Sequence, residues 1–569
     1  MLKPLFNRIS GILSISKYHL AGLNCRYSHS CPALFYLRRE LEDHVPGCQV
    51  EISQLTINDP YYPTLLHLAR GCDALFFSVY VWNHGYVERL LHDLAQLAPD
   101  RPLILGGPQA VHLENLPPGC TIVEGEVEGL DDSFYQDLQD GTLHSLYCAE
   151  PASFFATPYQ AADFDQQLKN RYIYYESSRG CPFACSYCLS ATSRGARHRD
   201  ATEVATELAQ ILEHTPRIVK FVDRTFNDLP DRALAIWRFL FRQETCTRFH
   251  FEIAPDRFTD EMLDFLETVP SGLFQFEIGI QSTNPQTLKA INRRMDVERA
   301  LDNIGRLARL DTIHLHVDLI LGLPHEDVES FRESFNRVFA AGPHYIQMGL
   351  LKVLPGTPIS GQAREFGLLH CAAPPYEILA TRWLSHPEIR ELHLLGECVE
   401  SFYNTRFFSS LWRYLRTTGE EPFGFFMTLL RCCCAEDFFN LAPTHKLTAA
   451  ILARMVQERP DGELLQEILC FDWLRCGYRF LPDFLHPDPS VLHRSRDTLR
   501  SCLPQNIPGV FTYQNREEFL KQGVFFPLSG TALRALGLNT EDCARYICFL
   551  PEQDSGVLQH NKIRLLTPV

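Results

Sequence analysis

Twice along this chain, short apolar runs alternate with stretches of helical periodicity, and this rhythm restricts the fold more than any other feature. In the first run, residues 20–23 close a strand, 32–41 read as a helix, 50–55 as a strand and 63–70 as a helix. Residues 74–82 form an apolar, aromatic strand, 85–97 a helix, and 102–105 and 121–123 two more strands. Alternation of this kind predicts a parallel sheet covered by helices on both faces. Ligands of such sheets lie beyond the carboxyl ends of the strands. Here those ends are residues 24–30, 78–83, 106–110 and 125–129, the last two glycine-containing.

A polar stretch at 151–170 reads as a linker between a first unit, 1–150, and a second, 171–365. In the second the rhythm resumes. Strands are expected at 172–176, 218–222, 250–253, 273–280, 314–321 and 345–353, with helices such as 201–214 and 328–340 between them. Six strand–helix units predict a partial or complete β/α barrel, with its active site at the C-terminal ends of the strands. From 366 to 569 apolar residues recur at helical spacing, as in 425–430, 447–456 and 464–476, and a mainly helical unit is expected.

The strongest local feature follows the first expected strand of the second unit. It is Ser178-Arg179-Gly180-Cys181-Pro182-Phe183-Ala184-Cys185-Ser186-Tyr187-Cys188. Gly180 and Pro182 disfavour a helix at its start, so the three cysteines sit on a loop able to wrap one centre. Iron–sulfur clusters normally take four thiolates. Three leave one iron open to a substrate or cofactor. A structural zinc site would need a fourth ligand, with His198 the nearest candidate. The chain holds 20 cysteines but no recognisable export signal in residues 1–17, so free thiols, metal or cluster ligation and a cytoplasmic location are expected. Cys72, Cys120, Cys148 and Cys470 read as small buried hydrophobes. Cys432, Cys433 and Cys434 are adjacent on an expected helix and point in different directions, which argues against a shared metal. With 53 basic against 69 acidic residues the net charge is −16, which disfavours a nucleic-acid footprint. No apolar run is long enough to span a membrane.

The C-x3-C-x2-C loop, with Tyr187 before its last cysteine, resembles that of the radical S-adenosylmethionine (SAM) superfamily. Further segments match in order. They are Phe221-Val222-Asp223, Glu277 to Ser282, the run ending at Arg293, the segment from Asp318 to Glu326, and Lys352 to Thr357. The resemblance implies a [4Fe–4S] cluster on Cys181, Cys185 and Cys188, and SAM held by Tyr187, Asp223, Glu277, Ser282 and Arg293. It also implies reductive cleavage of SAM to methionine and a 5′-deoxyadenosyl radical, with an electron donor such as flavodoxin or ferredoxin.

A parallel sheet ahead of such a barrel resembles the cobalamin-binding subclass. That resemblance implies a corrin near Ser78, Tyr80, Asn83, Gly106, Gly107, Gly125 and Glu126. The Asp-x-His-x-x-Gly motif that supplies an axial cobalt ligand in many cobalamin proteins is absent, as it is in many members of this subclass. The whole layout is similar to that of a bacterial group with a C-terminal domain of unknown function. Two reactions on a small-molecule substrate fit both cofactors: methyl transfer to an unactivated carbon, and a radical cyclisation or rearrangement. Methylthio transfer to tRNA would need a second cysteine set in the first unit, which Cys25 and Cys31 do not form. A non-enzymatic alternative is an iron–sulfur sensor or scaffold, which predicts the triad without the SAM segments.

Overall fold

Strands β1 (Lys17–Asn24), β2 (Gln49–Thr56), β3 (Ala74–Ser78), β4 (Leu103–Gly106), β5 (Cys120–Glu124) and β6 (Leu146–Cys148) form one parallel sheet. Every residue of β3 is buried, as a continuous apolar run in a central strand requires. The expected strand 74–82 therefore ends at Ser78, and residues 79–82 turn away toward the next helix. The spatial order is 2-1-3-4-5-6. The order in which strands are added reverses between β1 and β3, which run parallel, and this opens a crevice at their carboxyl ends. The computed structural model describes residues 15–566 except 153–154, 192–194, 489, 507–512, 514, 539–545, 555 and 558–559. Most of the segment read for an export signal therefore lies outside the described residues.

The second sheet is also wholly parallel. Its strands are β7 (Ile173–Tyr175), then β10 (Ile218–Phe221), β11 (Arg248–Ile253), β12 (Phe274–Gln281), β13 (His314–Leu321) and β14 (Tyr345–Leu350). Between β7 and β10 a small antiparallel hairpin, β8 (Ser178–Cys181) with β9 (Gly195–His198), carries the start of the cysteine loop. Strands follow one another in sequence order, and among the described residues β7 and β14 do not pair. The expected barrel is thus a partial one, open between its first and last strands. In β12 and β13 buried and half-buried residues alternate strictly. The buried set packs under helices around Trp237, whose ring lies 5.5 Å from that of Phe276. The other set, including Glu277, His316 and Asp318, lines the concave face. Helix starts are set by local chemistry. Asp296 accepts from the Arg299 amide at 3.1 Å, and Asp327 and Ser330 form a reciprocal capping box.

Helices fill most of residues 386–535, as expected. The expectation of a mainly helical unit omitted a three-stranded antiparallel sheet near the C-terminus, β17 (Val524–Pro527), β18 (Tyr546–Gln553) and β19 (Asn561–Leu566). These follow a short hairpin, β15 (Leu369–His370) with β16 (Ile378–Ala380). Of the four cysteines read as buried hydrophobes, only Cys470 is buried. Cys148 is exposed because it lies on the edge strand β6. Cys433 is buried while its neighbour Cys434 is exposed, as adjacent positions on a helix require. No helix of the described residues is long and apolar enough to cross a membrane.

Candidate active site at the open end of the second sheet

Cys181 ends β8, and the loop after it crosses the carboxyl ends of the second sheet. Gly180 has φ +86°, and a Cβ there would meet the Gly195 carbonyl oxygen at 2.2 Å. The hairpin that launches the loop therefore requires glycine. Two backbone bonds fasten the loop at its centre. The Ser186 amide donates to the Ile291 carbonyl and the Ile359 amide to the Ser186 carbonyl, each at 2.9 Å. Cys185 is buried, and Cys181 and Cys188 are half-buried. Burial pushes the Cys181 thiol above its ordinary value, while the Thr225 hydroxyl lies 3.7 Å from its sulfur.

The donor set fits a cluster better than a single ion. Thiolates around one tetrahedral zinc lie about 3.8 Å apart, given Zn–S bonds of about 2.3 Å. Among the described residues only His19, Glu51 and His67 bring three ligand atoms within 4.8 Å of one another. There the Ser53 hydroxyl already bridges the two imidazoles at 2.8 Å each. The sulfurs of the triad are spread wider, as ligands of a multi-iron cluster must be. His198, the candidate fourth zinc ligand, is instead 3.0 Å from Asp228.

Beside the loop lies a cavity of about 610 Å³. Tyr187 and Cys188 form one wall, Arg224 and Gln281 come from the ends of β10 and β12, and Asp318 and Gln347 from within β13 and β14. Lys352, Glu377 and His393 close the far side. The concave face below it is acidic and partly desolvated. The hydrogen bond from His250, at 3.1 Å, holds the Glu277 carboxyl down to about 2. Burial pushes Glu252 up to about 7 and raises Asp318, which sits 3.0 Å from His316.

The residues named from sequence for SAM lie in different surroundings. Tyr187 lines the cavity. Asp223 is fully buried, and its carboxylate accepts from the Ser177 amide at 2.9 Å and the Ser178 hydroxyl at 2.7 Å. It buttresses the strand that carries Cys181 and has little left for a ligand. Ser282 is fully buried and donates to Glu326 at 2.6 Å. Glu277 lies four residues before Gln281 on β12, deeper in the concave face and bonded to His250. Arg293 lies under the loop, 3.6 Å from the Cys185 sulfur and 3.4 Å from the Tyr187 hydroxyl, and donates to the Gly279 carbonyl. Gln281, Arg224, Gln347, Glu377 and His393 were not singled out from sequence. Gln281 had one local signal: it is the strand-end residue just before Ser282, and a register shift between Gly279 and Gln281 turns it with φ +69°.

Burial pushes Glu326 up to about 8. A carboxyl whose folded value exceeds its unfolded value of 4.5 binds more protons when folded, so it subtracts stability as pH rises through that interval. Glu326→Gln is expected to flatten the fall in stability between pH 5 and 8, measured as denaturation midpoints of the two proteins across that range.

In the first unit, the Asn83 amide donates to the Leu23 carbonyl at 3.1 Å and the Ser78 carbonyl at 2.9 Å, and its oxygen accepts from the Tyr80 amide at 2.8 Å. Asn83 thus ties the ends of β1 and β3 together and shapes the crevice. Tyr80 stacks on Trp82 at 4.4 Å, and Trp82 is 48 % exposed at the crevice mouth. Gly107, φ +96°, backs onto the Val79 backbone, where a Cβ would lie 2.6 Å from the carbonyl oxygen. Gly125 backs onto Ala149 in the same way. These glycines are explained by strand packing, whereas a Cβ on Gly106 meets nothing closer than 3.9 Å. Glu126 faces the cysteine hairpin. With Glu128 and Glu176 it surrounds Arg179, two residues before Cys181, at 2.8–2.9 Å, and it also pairs with Arg197.

Crevice and cavity open toward the same segment of chain. Gln109, in the loop after β4, donates to the Tyr376 hydroxyl at 2.8 Å. A Cβ on Gly356 would lie 4.0 Å from His112. Lys352, Leu354 and Glu377 of this segment line the cavity.

A doubly wound sheet, a partial parallel barrel and a thiol loop over the barrel mouth define an architecture shared with a solved structure, the cobalamin-dependent S-adenosylmethionine radical enzyme OxsB with aqua-cobalamin and S-adenosylmethionine bound. The TM-score is 0.57 over 81% of this chain and 79% of that one, and at 14% identity the likeness is one of fold. Residues 175–338 match the radical SAM superfamily and residues 364–524 a protein family of unknown function, DUF4080, so the chain carries a radical SAM domain followed by a DUF4080 domain. Among curated proteins it is similar to the 2-(S-pantetheinyl)-carbapenam-3-carboxylate methyltransferase of Streptantibioticus cattleyicolor, 30% identical over 335 residues, 51% of this chain and 48% of that protein. It is also similar to the cobalamin-dependent radical SAM methyltransferase TokK of Streptomyces tokunonensis, 29% identical over 212 residues, 35% of this chain and 30% of that one. The chain spans less than half the length of these two relatives.

Proposed function

We propose that this chain is a cobalamin-dependent radical SAM enzyme that methylates an unactivated carbon of a small-molecule substrate. The observation that carries the reading is the thiol triad fastened over the open end of a partial barrel, beside a cavity of about 610 Å³. Methyl transfer is favoured over cyclisation because both curated relatives named above are methyltransferases. A sensor or scaffold would need neither the cavity nor the ordered SAM segments.

Cys181, Cys185 and Cys188 would hold a [4Fe–4S] cluster, and the crevice at the ends of β1 and β3 would hold the corrin. When bound, cluster and SAM supply one-electron cleavage to a 5′-deoxyadenosyl radical, and cobalamin supplies a carrier for a methyl group. The residues of the chain do the rest. The half-buried Arg293 guanidinium lies against Cys185 and offsets negative charge from the thiolates. Tyr187 offers an aromatic wall for adenine. Gln281, Asp318 and Gln347 offer polar groups to the ribose and amino acid. The segment 352–377 and His393 limit water at the mouth, which protects a radical from quenching. An electron donor such as flavodoxin or ferredoxin would approach the exposed side of the loop.

The deciding experiment is anaerobic reconstitution with iron, sulfide, SAM and hydroxocobalamin, followed by mass spectrometry of the SAM products. 5′-Deoxyadenosine together with S-adenosylhomocysteine is the expected result. 5′-Deoxyadenosine alone would point to cyclisation or rearrangement, and neither product would sink the enzymatic reading. For the corrin, Gly106→Val is the clean probe. It is expected to reduce retention of hydroxocobalamin in equilibrium dialysis while leaving the melting temperature and iron content unchanged. Gly107→Leu should instead lower the melting temperature, because it forces a side chain onto the Val79 backbone at positive φ.

A further inference from the structure

A second cavity, of about 620 Å³, lies at the opposite end of the second sheet. Its walls include Asp311 and His344, which precede β13 and β14, whereas the thiol loop crosses the far ends of the same strands. Eight residues of β13 separate the two ends, roughly 25 Å at 3.3 Å per residue. The ends of the helices Val297–Leu310 and Val328–Ala341 add to the same wall, and the rest comes from the DUF4080 helices and from the strands and connections after residue 535.

Five guanidinium groups converge on this cavity, from Arg309, Arg406, Arg413, Arg416 and Arg475. Among its described lining residues the only carboxylates are Asp311 and Asp554, so the formal charge is five minus two, or +3, in a chain whose net charge is −16. Both carboxylates are already engaged. Asp554 takes Arg475 at 2.8 Å, and Asp311 lies 3.1 Å from His344. Among the described residues, Arg309, Arg406 and Arg413 make no ion pair. Arg416 lies over the Phe339 ring at 5.3 Å, and its Nη1 is buried with no hydrogen-bond partner. Burial pushes Arg406 down to about 10 and lowers Arg413, to which Arg475 and Arg416 add like-charge repulsion. The contrast with Arg179, surrounded by three carboxylates, is direct.

Crowded, partly desolvated like charges are unfavourable unless an opposite charge joins them. The volume falls within the range of small-molecule sites. Guanidinium forks match the paired oxygens of phosphoryl and carboxylate groups. We infer that this cavity is a binding site for a small polyanion, a phosphorylated or polycarboxylate metabolite, held by Arg406, Arg413 and Arg416 where barrel, DUF4080 helices and C-terminal sheet meet. It stands apart from the proposed SAM chemistry, so binding and melting temperature are its readouts.

The test uses the full chain, with inorganic pyrophosphate and citrate as probes at constant ionic strength. Isothermal titration is expected to give one site for at least one probe, with a matching rise in melting temperature. The tighter probe identifies the phosphoryl or the carboxylate class. Arg413→Gln and Arg406→Gln are each expected to weaken binding tenfold or more. Unliganded, each should melt at or above the wild type, because removing one cation relieves repulsion. Arg309→Gln, exposed like Arg413, gives a third variant should Arg406→Gln fold poorly, and it too should weaken binding. Arg306→Gln, a surface residue paired with Glu267 outside the cavity, should bind as the wild type does. The inference is overturned if neither probe binds at millimolar concentration, or if the folded variants among Arg309→Gln, Arg406→Gln and Arg413→Gln bind as tightly as the wild type.

Discussion

Replacing Cys181, Cys185 and Cys188 together with alanine is expected to reduce iron after anaerobic reconstitution to background and to abolish the broad brown absorption of an iron–sulfur cluster. Formation of 5′-deoxyadenosine should fall below detection with it. The effect is complete because a cluster of this kind takes its protein ligation from thiolates, and three is already one fewer than usual. The apo-protein should keep its melting temperature. The loop is fastened by backbone bonds at Ser186 and by the β8–β9 hairpin, none of which involves a sulfur. Iron and sulfide assays with thermal melts check both halves. Stoichiometric zinc without iron in anaerobically purified wild type would overturn the cluster assignment.

Arg179→Ala is expected to have the largest effect on stability among substitutions outside the hydrophobic core. The guanidinium is nearly buried, at 10% side-chain exposure, and bonds Glu126, Glu128 and Glu176. It also lies over the Tyr36 and Phe155 rings, at 4.8 and 4.5 Å. Removing it leaves three carboxylates facing one another, with Arg197 beside Glu126 and Arg39 3.9 Å from Glu128 to answer them. Breaking a buried pair from one side costs about 3–5 kcal/mol, since the remaining charges keep their desolvation penalty. At roughly 2–4 °C per kcal/mol for domains of 150–250 residues, the melting transition should drop by ~6 °C or more. Arg179→Lys should recover part of this, because an ammonium satisfies one or two carboxylates but not three. Iron retention should fall in parallel, since Arg179 lies two residues before Cys181. A wild-type melt with Arg179→Ala would show that the clamp contributes nothing.

What could be read without the structure was what neighbours in sequence decide. Strand β13 was bounded at both ends from sequence, because alternating burial imposes a period of two on the chain itself. The cysteine loop was legible because its three thiols lie within eight residues of chain, so that one loop can bring them to one centre. The omitted sheet β17–β18–β19 shows the converse. Its strands are mutually dependent, and their pairing is not written in a local period.

The uses of individual polar side chains were decided by contacts distant in sequence. Asp223 and Ser282 stood at strand ends and looked available for a ligand. Asp223 is taken up by Ser177 and Ser178, about 45 residues earlier, and Ser282 by Glu326, 44 residues later. Glu126, expected near the corrin, is held by Arg179, 53 residues away. The five arginines of the second cavity are dispersed over residues 309 to 475 and form no motif. Sequence determined which elements form and where soft ligands cluster, because backbone periodicity and ligand spacing are short-range. Only the tertiary structure decided which polar groups are left free, because a buried group must be satisfied by whatever the fold brings within 3 Å of it.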